Sequence, residues 1–166
     1  MHLTHEQSFA LSPGDLVELM YREDFVRFRA SVPSVQVQDV VVDAPTDGTL
    51  TLTLRRTMTT DQIPAQARPF VGSTLEVRHV EAWEPERDGV RTGTVAVDIT
   101  GTPVRMTGTV RLVPDGEGCV LRYEGDVRAS VPLFGAKIEE AAAGALLETL
   151  EAEASRTREW LAQPSH

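Results

Sequence analysis

The spacing of apolar and polar positions changes along the chain, and the last long segment has the clearest helical period. From Val131 to Ala162 the sequence reads VPLFGAKIEEAAAGALLETLEAEASRTREWLA. At 3.6 residues per turn, apolar and small residues gather on one face and charged residues on the other. The apolar face holds Phe134, Ile138, Ala141, Ala142, Ala145, Leu146, Thr149, Leu150, Trp160 and Leu161. The pattern predicts a long C-terminal helix that docks on a core with its back in water.

Two features of this helix bear on function. The side chains in the N-terminal half of its apolar face are mostly small: Ala141, Ala142 and Ala145. They allow either close packing against a sheet, which is the general expectation, or an unfilled space beneath the helix. Glu153 and Arg156 fall on the same face, where a long charged side chain is expected to snorkel to water. The alternative for such a residue is a polar group that points into a cavity.

The opening of the chain predicts one strand and two short helices. Residues from Leu3 to Leu11 alternate as in a strand, and SPGD follows at once. Ser12 suits the N-cap of a helix and Pro13 suits its first position. A second short helix is predicted from Glu23 to about Ala30, before Pro33 breaks the pattern.

From Val35 onward the period becomes two, which predicts six antiparallel strands. Val35, Val37, Asp39 and Val41 are expected on one face of the first of them, and Asp47-Gly48 is a hairpin signal. The remaining strands are the one through Leu50, Leu52, Leu54, Arg56 and Met58, then Thr74–Glu84, Val90–Thr100, Val104–Val113 and Cys119–Val131.

Two glycines and one segment within this region carry further expectations. Gly108 and Gly125 lie inside strand patterns, where glycine often marks a bulge or a sharp bend. The segment from Asp61 to Gly72 contains two prolines and is expected to be a loop or short helix that could cover a cavity mouth.

Composition narrows the class of protein. A chain of 166 residues with 41% hydrophobic residues predicts a single domain, residues 1–166, with a frayed tail at 163–166. The net charge of −9 disfavours nucleic-acid binding, since such a surface repels phosphate. No apolar run approaches the ~20 residues of a membrane span, and the N-terminus lacks a signal sequence, so a cytoplasmic protein is expected. Cys119 is the only cysteine, which excludes an intrachain disulfide, and it is expected to be an ordinary strand residue.

Few residues are candidates for chemistry. Arg56, His79 and Tyr123 share the register of apolar strand residues, so they are expected on the inner face of the sheet. Arg56 could pair with a ligand carboxylate there, although an arginine at the surface end of its strand is the simpler interpretation. No zinc motif, nucleophile motif or phosphate-binding glycine loop is present, so we predict no catalytic residue, no metal and no cofactor.

The order of elements resembles the helix-grip fold of the START-like superfamily, also called SRPBCC, which includes polyketide cyclases, lipid-transfer domains and the major birch pollen allergen. The segments that carry the likeness are the LSPGDLVELMYREDFV opening and the VPLFGAKIEEAAAGALLETLEAEASRTREWL ending. More narrowly, the chain is similar to uncharacterised actinobacterial branches of that superfamily. The resemblance implies an α+β fold in which a curved antiparallel sheet of about seven strands surrounds the C-terminal helix.

The resemblance also implies a hydrophobic cavity between the sheet and that helix. We expect a small hydrophobic or amphipathic molecule to bind there, against Arg56, His79, Tyr123, Leu54, Val77, Phe134, Ile138, Ala142, Ala145 and Thr149. Two alternatives remain open at this point. One is a protein-interaction domain with a filled core, and the other is a cyclase or hydratase in which His79 or Tyr123 transfers a proton. A non-enzymatic role is favoured, and the sequence does not set the ligand or the oligomeric state.

Overall fold

Seven antiparallel strands form one curved sheet around a long C-terminal helix. The structure is a computed structural model, and it describes residues 1–60, 65, 68–70 and 73–164. In chain order the elements are β1 (His2–Phe9), α1 (Pro13–Met20), α2 (Glu23–Ala30), β2 (Val35–Asp43), β3 (Leu50–Thr59), β4 (Thr74–Trp83), β5 (Arg91–Ile99), β6 (Val104–Asp115), β7 (Gly118–Ala129) and α3 (Gly135–Ala162). The predicted fold class is confirmed, including the two short helices after the first strand.

The sheet has the order β1-β7-β6-β5-β4-β3-β2, so β1 and β2 lie at opposite edges and α1 and α2 connect them. The start of α1 is as predicted, because the Ser12 side chain accepts a hydrogen bond from the backbone N–H of Asp15 at 3.1 Å and Pro13 follows the cap. The predicted cover over 61–72 lies mostly outside the described residues. Within it the structure describes one turn of 3₁₀ helix, Arg68–Phe70.

One strand departs from its predicted register. The pairing of β2 with β3 shifts between Val37 and Asp39, which marks a bulge. After an irregularity of this kind the alternation is displaced by one residue. Val40 is therefore buried and Val41 is 49% exposed, so Val41 does not share a face with Val37 as predicted.

Of the bulge or sharp bend predicted at Gly108 and Gly125, the bulge is not present in the pairing of β6 with β7. The two residues are directly paired, and β6 and β7 keep one register from Val104 to Asp115. Their function is to permit close approach of the strands. A Cβ on Gly108 would lie 2.1 Å from the carbonyl oxygen of Glu124, and one on Gly125 would lie 2.6 Å from that of Thr107.

The C-terminal half of α3 is fixed by aromatic contacts with α2. Trp160 packs edge-on against Phe25, with 5.5 Å between ring centroids, and against Phe28, with 5.1 Å. The Arg156 guanidinium lies 3.7 Å from the centre of the Phe28 ring, so this charge does leave the core as expected. Leu161, assigned to the apolar face from its period, is 38% exposed near the end of the helix.

Candidate functional site

A cavity of about 150 Å³ lies between the N-terminal half of α3 and strands β3, β4 and β5, with the first residue of β6 also in its wall. Half of the residues on the helix side of this space are alanines, whose short side chains leave the gap to the sheet unfilled. The sheet side is built from residues at the ends of the strands and from the turn after β5. The residues that line the cavity are Arg56, Met58, Thr59, Leu75, Val77, His79, Val97, Ile99, Thr102, Val104, Ile138, Ala141, Ala142, Ala145, Leu146 and Thr149.

The polar end of the cavity is formed by Arg56 of β3 and His79 of β4. Arg56 pairs with Val77 and His79 pairs with Leu54, so the two polar side chains lie one diagonal step apart on the same face of the sheet. Arg56 Nη2 lies 2.8 Å from His79 Nδ1. A guanidinium can only donate, so His79 Nδ1 is the acceptor and the ring proton is on Nε2. His79 in this arrangement is neutral.

Glu153 of α3 completes the ion pair at this end. It is 2% exposed, and its Oε1 accepts a hydrogen bond from Nη1 of Arg56. Its second oxygen, Oε2, lies 3.5 Å from Nη2 of Arg29, which comes from α2. The expectation that Glu153 snorkels to water is therefore wrong. Its carboxylate stays in the core because two buried guanidinium groups replace the water it loses.

A second buried carboxylate, Glu81, lies on the other side of His79. Its Oε1 is 3.2 Å from His79 Nε2 and accepts a hydrogen bond of 2.8 Å from the Tyr123 hydroxyl. Its Oε2 accepts a hydrogen bond of 3.1 Å from the Trp83 indole N–H. Arg29 Nη2 donates to the Tyr123 oxygen at 2.9 Å, which closes a continuous ring of polar contacts through Glu153 and Arg56.

The surroundings keep both carboxylates ionised. Burial by itself raises the pKa of Glu81, but the contact with His79, the charge of Arg29 and the hydrogen bond from Tyr123 outweigh it and lower that pKa to about 2. Burial likewise acts to raise the pKa of Glu153, and the charges of Arg56 and Arg29 lower it overall. Burial and the neighbouring Glu81 charge raise the pKa of Tyr123 well above its usual value, so its hydroxyl keeps its proton.

Three donors of this network, Arg29 Nε, Arg56 Nε and His79 Nε2, are buried and make no hydrogen bond among the described residues. Arg56 and His79 also line the cavity. A buried donor without a partner is unfavourable by about 1–3 kcal/mol. Since Arg56 forms part of the cavity wall, a polar atom of a bound molecule could supply the missing acceptor.

The structure brings most of the expected ligand-binding residues around the cavity and places three elsewhere. Those that line it are Arg56, Val77, His79, Ile138, Ala142, Ala145 and Thr149. Leu54 lies beyond His79, in the wall of a small void of about 10 Å³. Tyr123 is hydrogen-bonded to Glu81 and Arg29 behind the cavity. Phe134 caps α3 and is 38% exposed.

Sequence reasoning did not include Glu81 or Arg29. Glu81 could have been found, because it shares the inward register of Leu75, Val77, His79 and Trp83 in β4. Arg29 carried no such signal, since α2 is short and its buried face includes Phe25, Val26 and Ala30 as well.

Other candidate sites have little support in the structure. Burial raises the pKa of the Cys119 thiol to about 11, so at neutral pH this cysteine is not a nucleophile. In the described ranges no three His, Cys, Asp or Glu side chains are placed to hold a metal ion. No helix in the same ranges is long and apolar enough to cross a membrane.

Comparison with known families places the chain in one of them. A family model described as a protein of unknown function, DUF2505, matches residues 4–161. The chain belongs to the DUF2505 family. The uncharacterized protein Rv0481c of Mycobacterium tuberculosis is 24% identical to this DUF2505 chain over 148 residues, which is 85% of each protein.

Solved structures share the fold of this DUF2505 protein at low sequence identity. A fragment of a STAR-related lipid transfer protein from Xanthomonas axonopodis matches 95% of this chain and 85% of its own, with a TM-score of 0.55 and 22% identity. The structure of Ara h 8.0201 matches 96% and 98%, with a TM-score of 0.55 and 11% identity. These matches confirm the helix-grip fold that the order of elements predicted.

Proposed function

We propose that this DUF2505 protein binds a small, mainly apolar molecule in the cavity between α3 and the sheet. The observation that carries the proposal is the cavity itself, an apolar space with one polar end. Its lining combines apolar side chains from strands β3 to β6 with the alanines of α3. Among the described residues of this lining, Arg56 and His79 are the only ones that carry a charge or an imidazole ring. A few polar groups at one end of an apolar pocket are typical of sites that fix the orientation of a ligand.

The volume limits the size of the bound part. Pockets for drug-sized ligands start at about 300 Å³, whereas a dry apolar cavity of about 150 Å³ holds a benzene molecule. The space beneath α3 therefore suits a single ring or a short alkyl chain. Because the cavity opens to solvent, a longer molecule could extend beyond it.

The fold supports the same class of function by analogy. One solved structure with this fold is named as a STAR-related lipid transfer protein, at 22% identity. A shared fold at this identity does not carry a ligand from one protein to another. The proposal therefore rests on the lining of this cavity, and the neighbour adds a precedent for the fold.

The enzyme alternative has less support. His79 Nδ1 accepts from Arg56, and His79 Nε2 lies 3.2 Å from Glu81 Oε1 without a hydrogen bond. Tyr123 lies behind the cavity and donates its hydroxyl proton in a hydrogen bond to Glu81. His79 therefore has no free lone pair with which to accept a proton from a bound ketone, and the Tyr123 hydroxyl is already hydrogen-bonded. The filled-core alternative is disfavoured by the open space beneath α3.

The test is fluorescence titration with N-phenyl-1-naphthylamine, a neutral apolar dye that brightens when it leaves water. Its phenyl group matches the single ring that the cavity holds, and its naphthyl group would extend through the opening. We expect saturable binding to the wild-type protein. Ala142→Phe places a phenyl ring in the cavity, and we expect it to weaken dye binding at least ten-fold.

Ala136→Phe is the matched control, because Ala136 is exposed on the first turn of the same helix and the same side chain is added away from the cavity. Urea unfolding of both variants shows whether each is folded. No saturable binding to the wild type, or equal binding by Ala142→Phe, would overturn the proposal.

A further inference from the structure

We propose that the polar group of the bound molecule is an uncharged hydrogen-bond acceptor, such as a ketone or ester oxygen, and not a carboxylate. This inference rests on the proposed function and specifies its ligand class. The arginine at the polar end of the cavity suggests an anion at first sight, and pairing with a ligand carboxylate was one of the two interpretations of Arg56 from the sequence. The side chains behind it lead to the opposite conclusion.

The polar end is electrically balanced before any ligand binds. The polar end has four buried charged residues, Arg29, Arg56, Glu81 and Glu153, with exposed fractions of 7%, 4%, 4% and 2%. Two positive and two negative charges give a sum of zero. Arg91 is also buried, but it lies outside this cluster and donates to the backbone carbonyls of Gly48 and Glu84. His79 adds no charge, because its Nδ1 accepts from Arg56. Among the described residues that line the cavity, Arg56 alone is charged.

An anion would disturb this balance. The guanidinium that it would approach already donates to the carboxylate of Glu153. A ligand carboxylate would therefore add an uncompensated negative charge to a buried region and bring two like charges onto one guanidinium. Burying an unbalanced charge is far less favourable than burying a neutral polar group that gains a hydrogen bond.

A neutral acceptor gains a bond without that penalty. The Arg56 Nε–H has no partner within the described part of the chain. A carbonyl oxygen can accept from it and leave the Arg56–Glu153 pair intact. A hydrogen bond from a charged donor is among the stronger contacts a neutral ligand can make. The preference for a neutral ligand over an anion then comes from Glu153. Glu153 contacts Arg56 and not the ligand, so it is a positioning residue that sets specificity.

The experiment is competition against N-phenyl-1-naphthylamine by 2-octanone and by octanoate at pH 7.5, with the wild-type protein. The two competitors have eight carbons each and differ in charge. We expect 2-octanone to displace the dye at a concentration at least ten-fold lower than octanoate. Octanoate equal to or better than 2-octanone would overturn the inference, and so would failure of both to displace a dye that binds.

Glu153→Gln tests the cause of the selection. It leaves the buried cluster with one excess positive charge, so we expect the ratio between the two competitors to shift at least ten-fold toward octanoate. Glu148→Gln removes the same charge from the exposed side of α3 and should leave the ratio unchanged. An unchanged ratio in Glu153→Gln would overturn the inference.

A second variant covers the case in which Glu153→Gln does not fold. Arg56→Met removes the donor and keeps a side chain of similar length, and we expect 2-octanone to bind about ten-fold more weakly. Unchanged binding of 2-octanone to this variant would overturn the inference. The proposed function fails by a different result, which is the absence of any dye binding to the wild type.

Discussion

Glu81 illustrates how a single residue can depend on distant parts of the chain. It lies in β4, and its carboxylate meets the Tyr123 hydroxyl from β7 and the neighbouring His79 and Trp83 of its own strand. These contacts, with the charge of Arg29, hold its pKa at about 2, below the ordinary value of 4.5. The stabilisation is present only while the carboxylate is ionised.

The pH dependence of stability follows from this shift. A lowered pKa in the folded protein means that the contribution is complete above about pH 4.5 and is lost as the pH falls to about 2. We expect Glu81 to account for roughly 3 kcal/mol of the unfolding free energy lost across that window. The lowered pKa of Glu153 adds to the loss in the same direction.

Urea unfolding at a series of pH values from 2 to 7 measures this effect. Glu81→Gln should be less stable at neutral pH and should show a shallower fall below pH 4.5. Glu86→Gln, at an exposed position in the turn after β4, should retain the wild-type slope. An identical slope for Glu81→Gln and wild type would contradict the assignment.

At the scale of neighbouring elements, the distance between β6 and β7 decides which residues fit at Gly108 and Gly125. Gly108 and Gly125 face each other where a Cβ would collide with backbone, which cannot move aside as a side chain can. Gly144 in α3 is the opposite case, because a Cβ there meets nothing within 4 Å. Alanine at these two kinds of position should change stability in opposite directions.

We expect Gly108→Ala to lower the unfolding free energy by about 1–3 kcal/mol, the usual range for overpacking. Gly144→Ala should raise it by about 0.5–1 kcal/mol, since alanine is the better helix former. Chemical denaturation of the two variants measures both values. A Gly108→Ala protein as stable as wild type would show that the strands can separate without cost.

In the whole molecule, the position of α3 decides whether there is a cavity. The helix packs against β7 and β1, and its Trp160 packs against Phe25 of α2. Strands β3 to β5 belong to the same sheet but curve past the alanine-rich half of the helix, and the gap between them is the cavity. A molecule that binds in this cavity, and therefore only to the folded state, stabilises the folded protein.

Ligand binding should therefore raise the stability of the whole domain. At a free dye concentration about 100 times the dissociation constant, N-phenyl-1-naphthylamine should raise the unfolding free energy of the wild type by about 2.7 kcal/mol. Ala142→Phe should show no such increase, since its added ring occupies the same space. Thermal unfolding with and without dye provides the measurement, and an equal increase in both proteins would place the dye elsewhere.

The sequence by itself determined the elements, because their signals are local. The cap at Ser12, the period of two in β3 and the helical period of α3 depend on neighbours within a few residues, and the structure has all three. The same local patterns placed His79 on the inner face of the sheet. For Arg56 the favoured interpretation, an arginine at the surface end of its strand, is wrong, because the residue is only 4% exposed. A local pattern fails where one residue shifts the register, as at the bulge that buries Val40 in place of Val41.

Only the tertiary structure decided what those residues meet. Arg56 and Glu153 are 97 positions apart, and Arg29 and Tyr123 are 94 apart, so no periodicity relates them. From the sequence, Glu153 was therefore expected to reach water, and only the fold shows the two arginines, Arg29 and Arg56, that it contacts in the core. The cavity likewise depends on the distance between α3 and the sheet. The small residues of α3 permit a gap there, but they do not determine how far the helix lies from the strands.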